Sequence, residues 1–238
     1  MLQCLPKKEN GRRFLSEIKK MRFVFLALFI AVSIFHLAAS FFDKPKLRNA
    51  SIAFIVLFLL LYYVFSAERK STVLLVALIT SLLGDIILIP PGFAFFAVGG
   101  LSFIVSQVCY IIEYTKHIDF SAVSVFASVC VFALYFAAAF FAFKKLRTSM
   151  DKLTFTGTVL YLALNAVMNL FAFFLLWTKP SFGAALVLFG AMSFYASDIL
   201  LFFNNFYKGG LKRKYFSVML TYIIAQFCIT QGILLTAA

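Results

Sequence analysis

The chain has 238 residues, is 63% hydrophobic and carries a formal net charge of +13; its mean hydropathy is +1.00. Soluble domains hold about 45–50% apolar residues, so this composition excludes an ordinary soluble domain and points to an integral membrane protein. The positive charge does not point to nucleic acid. Nearly all Lys and Arg lie in the N-terminal region and in short links between apolar runs, where they anchor spans against anionic headgroups.

Residues 1–20 form a basic tail that leads into the first apolar run, 22–42. Ala38, Ala39 and Ser40 offer the small residues of a signal-peptide cleavage site. The run is nevertheless of full span length and the basic region before it is long, so we read a retained first helix. His36 lies on this span, and a lone His there is a candidate proton relay or substrate contact. The link DKPKLRN leads to the second run, 50–66, and AERKS to the third, 72–89. The third carries Asp85, preceded by Gly84 and followed by Ile86 and Ile87. Pro90 and Pro91 end the helix just past the acid.

The fourth run, 93–114, holds Gln107 near its middle and Glu113 at its interfacial end. The link TKHID leads to the fifth run, 120–143, and KKLRTSMD to the sixth, 153–177. Asn165 and Asn169 share one face of the sixth span at i,i+4 spacing and read as helix–helix glue. The seventh run, 183–203, carries Ser197 and Asp198; the eighth, 216–236, carries Tyr222 and Gln226. These runs have the length of bilayer-crossing helices, about 17–25 residues. The sequence therefore predicts an all-α integral membrane fold: residues 21–238 form one bundle of eight transmembrane helices, since open sheets cannot span lipid. The links after odd-numbered spans hold 11 Lys and Arg and the others 4, but the tail adds seven to the poorer face. The positive-inside rule thus leaves the orientation open.

Asp85 and Asp198 are the acids that lie inside apolar runs. An Asp at a helix centre costs about 2.5–3.5 kcal/mol on insertion scales, and such a residue normally faces the bundle interior and marks a functional site. Both are on odd-numbered spans, near the ends of their runs. At 1.5 Å rise per residue both are expected about 6–8 Å below the same face.

Their surroundings match as well. Gly84-Asp85-Ile86-Ile87-Leu88 parallels Ser197-Asp198-Ile199-Leu200-Leu201. On the next spans SFIVSQVCYI (102–111) parallels TYIIAQFCIT (221–230), which pairs Phe103 with Tyr222, Gln107 with Gln226 and Cys109 with Cys228. These pairings predict a tandem duplication, 21–114 and 120–238, with the two copies in parallel orientation about an axis along the membrane normal.

Two carboxylates in a low-dielectric cleft do not both ionise cheaply, so one is expected to hold a proton, which gives an acid and a base from identical side chains. That arrangement suits an intramembrane hydrolase, and it equally suits a proton-coupled transporter. Gln107 and Gln226 are candidates for site lining or for bridging helices. Gly84, Ser197, Tyr222 and His36 complete the candidate substrate contacts. Cys4, Cys109, Cys130 and Cys228 show no metal-ligand spacing, and there is no GxSxG, P-loop or HExxH motif. Neither a metal nor an organic cofactor is expected.

The stretches LITSLLGDIILIPP, FAVGGLSFIVSQVCYIIEY, FGAMSFYASDILLFFNNF and MLTYIIAQFCITQG resemble the YhhN-like lysoplasmalogenases, and the resemblance runs from about the first span to the C-terminus. It departs at Gln107, where the family pattern on the fourth span has a His. The resemblance implies an eight-span membrane hydrolase that cleaves the vinyl ether bond of a lysophospholipid, with Asp85 and Asp198 as its catalytic pair and no cofactor. It further implies membrane lipids as surroundings, in the cell membrane of a bacterium or the endoplasmic reticulum of a eukaryote.

Overall fold

The computed structural model describes residues 7–207 and 213–237, and every regular element among them is helical. In chain order these are α1 (Lys7–Phe41), α2 (Pro45–Ser66), α3 (Thr72–Ile87), α4 (Phe93–Thr115), α5 (Val125–Leu146), α6 (Lys152–Thr178), α7 (Phe182–Phe206) and α8 (Lys214–Ala237), with 3₁₀ turns at Phe120–Ala122 and Arg147–Ser149. Short side chains set several starts. Ser71, Ser124 and Ser181 each accept a backbone N–H from the first turn of α3, α5 and α7, while Pro45 opens α2, where its missing N–H costs nothing. Asp151 caps α6, accepting Leu153 N–H at 3.0 Å and Thr154 N–H at 3.1 Å. The Thr154 hydroxyl and these N–H groups hold the exposed Asp151 carboxyl below its usual range.

Among the described residues the expected eight helices are present, but six have the length and hydropathy to cross a membrane: α2, α4, α6, α7, and the stretches Lys20–Phe41 of α1 and Tyr215–Ala237 of α8. α3 and the apolar part of α5, Val125–Phe141, fall short of that length. α1 is helical from Lys7, the first described residue, so the helix takes in most of the basic tail. α5 begins at 125 rather than 120, because Asp119 accepts Ser121 N–H and holds the preceding residues in a 3₁₀ turn. α7 runs to Phe206, past the expected 203; Asn205 donates back to Leu201 O at 2.9 Å and carries the helix beyond its apolar stretch.

The early stop of α3 matters most. Residues before a proline disfavour the helical region, so the helix ends ahead of Pro90 and Pro91, closed by Leu88 N–H on Gly84 O at 3.0 Å. Its 16 residues span about 24 Å, against a hydrocarbon core of about 30 Å. The space beyond its C-terminus is where the site described below lies.

Consecutive helices form the pairs α1–α2, α3–α4 and α7–α8, joined by contacts of α2 with α3, α4 with α6, α6 with α7, and α8 with α1 and α2; α5 lies at the edge, against α6 and α7. The α7–α8 pair is the closest. Gly190 is packed so tightly that a Cβ there would stand 2.8 Å from Ile229 N and 2.9 Å from Ala225 O, as small residues allow in membrane helices.

At the membrane face opposite the end of α3, where the sequence reading put it, Glu113 is buried. It accepts from Ser71 Oγ at 2.5 Å and pairs with Lys116 Nζ at 2.6 Å, while the Tyr63 hydroxyl accepts Ser71 N–H at 2.7 Å. This cluster ties α4 to the start of α3 and accounts for the acid structurally.

Candidate functional site

A cavity of about 370 Å³ opens where α3 stops. Asp85 of α3 and Asp198 of α7 are both on its wall, with Tyr222 and Ser197; Leu88 to Gly92, the segment after α3, form another side. Both acids are buried, 4% and 5% exposed. Their distances from the helix ends differ from the four and five residues the sequence suggests. Asp85 is two residues from the end of α3 and Asp198 eight from the end of α7. They share a cavity because α7 extends beyond the point where α3 breaks off.

Asp85 accepts the Tyr222 hydroxyl on Oδ2 at 2.9 Å. Tyr222 in turn accepts from Gln226 Nε2 at 3.3 Å, and that amide also reaches Ser81 Oγ at 3.0 Å. Gln226 Oε1 takes the Tyr110 hydroxyl at 2.6 Å. Asp198 is held differently: Asn165 Nδ2 donates to its Oδ2 at 2.5 Å and Gln107 Nε2 to the same oxygen at 3.4 Å. The Tyr161 phenol also lies within its hydrogen-bonding shell. Behind Asn165, Asn169 Nδ2 donates to Asn165 Oδ1 at 3.0 Å, and the Tyr135 hydroxyl donates to Asn169 Oδ1 at 2.9 Å.

Five of the candidates read from sequence therefore line the cavity: Asp85, Asp198, Tyr222, Ser197 and His36. Ser197 spends its hydroxyl on Val218 O at 3.0 Å, bracing α7 on α8. Gln107 and Gln226 stand behind the wall and orient its acids and Tyr222. Gly84 is also off the wall. A Cβ there would meet the Phe103 ring at 2.7 Å, so the glycine seats Phe103, which is itself a wall residue. Asn165, read as glue, is a direct partner of Asp198; its position at i,i+4 from Asn169 was the available signal. Arg48, Tyr110 and Tyr161 gave no sequence signal beyond their type. Among the described residues no three His, Cys, Asp or Glu gather as a metal-binding group.

A second cavity of about 280 Å³ adjoins the first and shares Leu88, Phe96, Phe103 and Leu201 with it. It is an apolar groove between α4 and α6. Two of its glycines, Gly100 and Gly157, have no atom within 4 Å of where a Cβ would sit, so the groove is open beside them. A third cavity, about 390 Å³ between α5, α6 and α7, is lined mostly by Phe, Ala and Leu and holds no carboxylate.

No curated protein and no solved structure matches the chain. The YhhN family model matches residues 47–233, a stretch that takes in α3 to α7, both acids, and Tyr222, Asn165, Gln107 and Gln226, and the chain accordingly belongs to the YhhN family.

Proposed function

We propose that this multi-pass membrane protein is a lysoplasmalogenase-like hydrolase in which Asp85 and Asp198 cleave the vinyl ether bond of a lysoplasmalogen to a fatty aldehyde and a glycerophospho-base. One observation carries the reading. Two buried carboxylates share a cavity at one membrane face, and an apolar groove leads from that cavity between two lipid-bathed helices. A single-chain amphiphile fits this layout, with its chain in the groove and its ether beside the acids. Family membership supports the hydrolase class.

The donors around each acid support a division of roles. Asp198 receives two amide N–H groups on one oxygen and is arranged to carry the negative charge, since donors to a carboxylate favour its charged form. Asp85 receives one hydroxyl and holds the proton. Asp85 transfers that proton to the alkene carbon remote from the ether oxygen, forming an oxocarbenium ion on the other alkene carbon and the oxygen. The Asp198 carboxylate stabilises the cation and takes a proton from the water that adds to it. In the collapse of the hemiacetal Asp198 gives its proton to the glycerol oxygen, which leaves as an alcohol, while Asp85 takes the hydroxyl proton, so that the aldehyde forms and both acids return to their starting states. Each proton-transfer role is worth roughly 10²–10⁴ in rate.

A proton-coupled carrier on the same acids requires a path to both faces. Ser81, Ser106, Tyr110, Tyr114 and Gln226 fill the interior on the far side and are fully buried, which favours the one-sided enzyme. The duplication into 21–114 and 120–238 is part of the same proposal. α2 meets α3 as α6 meets α7, and α4 meets α6 as α8 meets α2. The bonds cross between the halves in both directions, Tyr222 of α8 to Asp85 and Gln107 of α4 to Asp198. The correspondence is loosest for α1 and α5.

The test is aldehyde release from a purified 1-alkenyl lysophosphoethanolamine in detergent. Stoichiometric aldehyde and glycerophosphoethanolamine are expected. No aldehyde from folded protein, together with substrate-driven proton flux in vesicles, would establish the carrier instead. The groove gives a second expected result. Gly157→Leu places a side chain in open space and should raise KM for a long-chain substrate about tenfold, with a smaller effect on a short-chain one. Equal changes for both lengths would place the chain elsewhere.

A further inference from the structure

Arg48 stands on the cavity wall about one turn into α2, and it is the one Lys or Arg among the described residues that line this cavity. Its guanidinium carbon lies over the Tyr215 ring, 3.8 Å from the ring centre, a cation–π contact. Its Nη1 is buried and has no hydrogen-bond acceptor. No carboxylate pairs with it among the described residues, although Asp85 and Asp198 line the same cavity. A buried guanidinium N–H without an acceptor is costly to leave unmade. A planar cation held on a ring at a cavity wall, with one N–H buried there and left without an acceptor, has the makings of a phosphate receptor once a ligand displaces its cover.

The neighbouring polar group complements it. Ser51 has one hydroxyl proton, engaged with Leu47 O at 2.9 Å and Arg48 O at 3.1 Å. The 2.9 Å contact between His36 Nδ1 and Ser51 Oγ is therefore donated by the imidazole, which leaves Nε2 as a bare acceptor. That Nε2 is buried and unpartnered, and His36 lines the cavity with Arg48. Two neighbouring wall residues thus each keep a buried polar atom without a partner, a cationic donor on Arg48 and a neutral acceptor on His36.

We infer that Arg48 anchors the phosphate of a lysophospholipid in this cavity, with His36 Nε2 accepting the free glycerol hydroxyl beside it. The assignment rests on the amphiphile reading above but not on hydrolysis. It also explains why a site for a hydrophobic ether would keep a buried cation at the end where the acids meet the membrane face.

Binding tests it without turnover. The probes are a 1-O-alkyl lysophosphoethanolamine, whose saturated ether resists the proposed chemistry, and the matching 1-O-alkylglycerol, titrated calorimetrically into purified protein in a non-ionic detergent. The wild type is expected to bind the phosphate-bearing probe roughly 10–100-fold more tightly. Arg48→Gln should bring that ratio near one, while Arg48→Lys, which keeps the charge and loses the fork, should retain part of it. If Arg48→Gln fails to fold, the Lys variant decides: a ratio unchanged from wild type overturns the proposal. A wild type without preference for phosphate also overturns it. Equal competition by inorganic phosphate or chain-free glycerophosphoethanolamine would identify a site for soluble phosphate, and the lipid assignment would fall. An Arg48-dependent preference in a protein that releases no aldehyde would overturn the hydrolase reading alone.

Discussion

Asp85→Asn is expected to lower aldehyde release by about 10²–10⁴-fold while the protein still folds. The substitution is close to neutral for packing. The Tyr222 hydroxyl that donates to Asp85 Oδ2 finds the same acceptor in the amide oxygen, and Gln226 still reaches both Tyr222 and Ser81. What is lost is a proton that can be given to carbon, because an amide NH₂ is no acid at neutral pH. Asp198→Asn removes a different quantity. Asn165 and Gln107 aim amide donors at one oxygen of Asp198, and without its charge they face a weaker acceptor and the developing cation has no counter-charge. The loss of rate is expected to be comparable, and Asn165→Ala should produce a smaller version of it by releasing the shortest of those bonds. The measurement is initial-rate aldehyde release at matched amounts of folded, monodisperse protein. Full activity in both Asp variants would sink the mechanism. Full activity in Asp198→Asn alone would move the base to another group.

The helices were legible because apolar runs and charged links alternate so cleanly that composition alone separates them. Their ends were less legible. The sequence reading closed α7 at its first polar residues, but an Asn that bonds back to its own helix, as Asn205 does to Leu201 O, lets the helix outrun its apolar stretch. In the site, the acids announced themselves as charges in lipid, and Tyr222 emerged from its alignment with Phe103. Sequence spacing gives position along a helix but not which neighbour a side chain meets, so Gln107 and Gln226 read as site lining or helix bridges without their roles behind the wall. Arg48 sits among the Lys and Arg of a basic link and looks like one more headgroup anchor. Its place on the cavity wall, its buried Nη1 and the packing of Tyr215 from the start of α8 against it distinguish it from Lys44 and Lys46.

Gly232→Leu is expected to prevent correct assembly, and Gly232→Ala to lower the melting temperature and take activity down with it. A Cβ at Gly232 would stand 2.6 Å from Gly183 O, 2.7 Å from a Val187 methyl and 2.8 Å from Val187 N. Two of these are backbone atoms of α7, which cannot turn aside as a side-chain tip can, so the helices must separate. Overpacking of this kind costs about 1–3 kcal/mol, and the backbone blockade puts Gly232 at the upper end. The consequence reaches the site because α7 carries Asp198 and α8 carries Tyr222. Separating the two loosens Ser197 Oγ from Val218 O, now 3.0 Å, and shifts Tyr222 relative to Asp85. Activity should therefore fall further in Gly232→Ala than the loss of folded protein explains. Gly100→Ala is the control, since no atom lies within 4 Å of its Cβ position, and its melting temperature should stay at the wild-type value. A Gly232→Leu protein that melts like the wild type would mean that α7 and α8 are not in backbone contact. The acids would then be held by something other than this pair of helices.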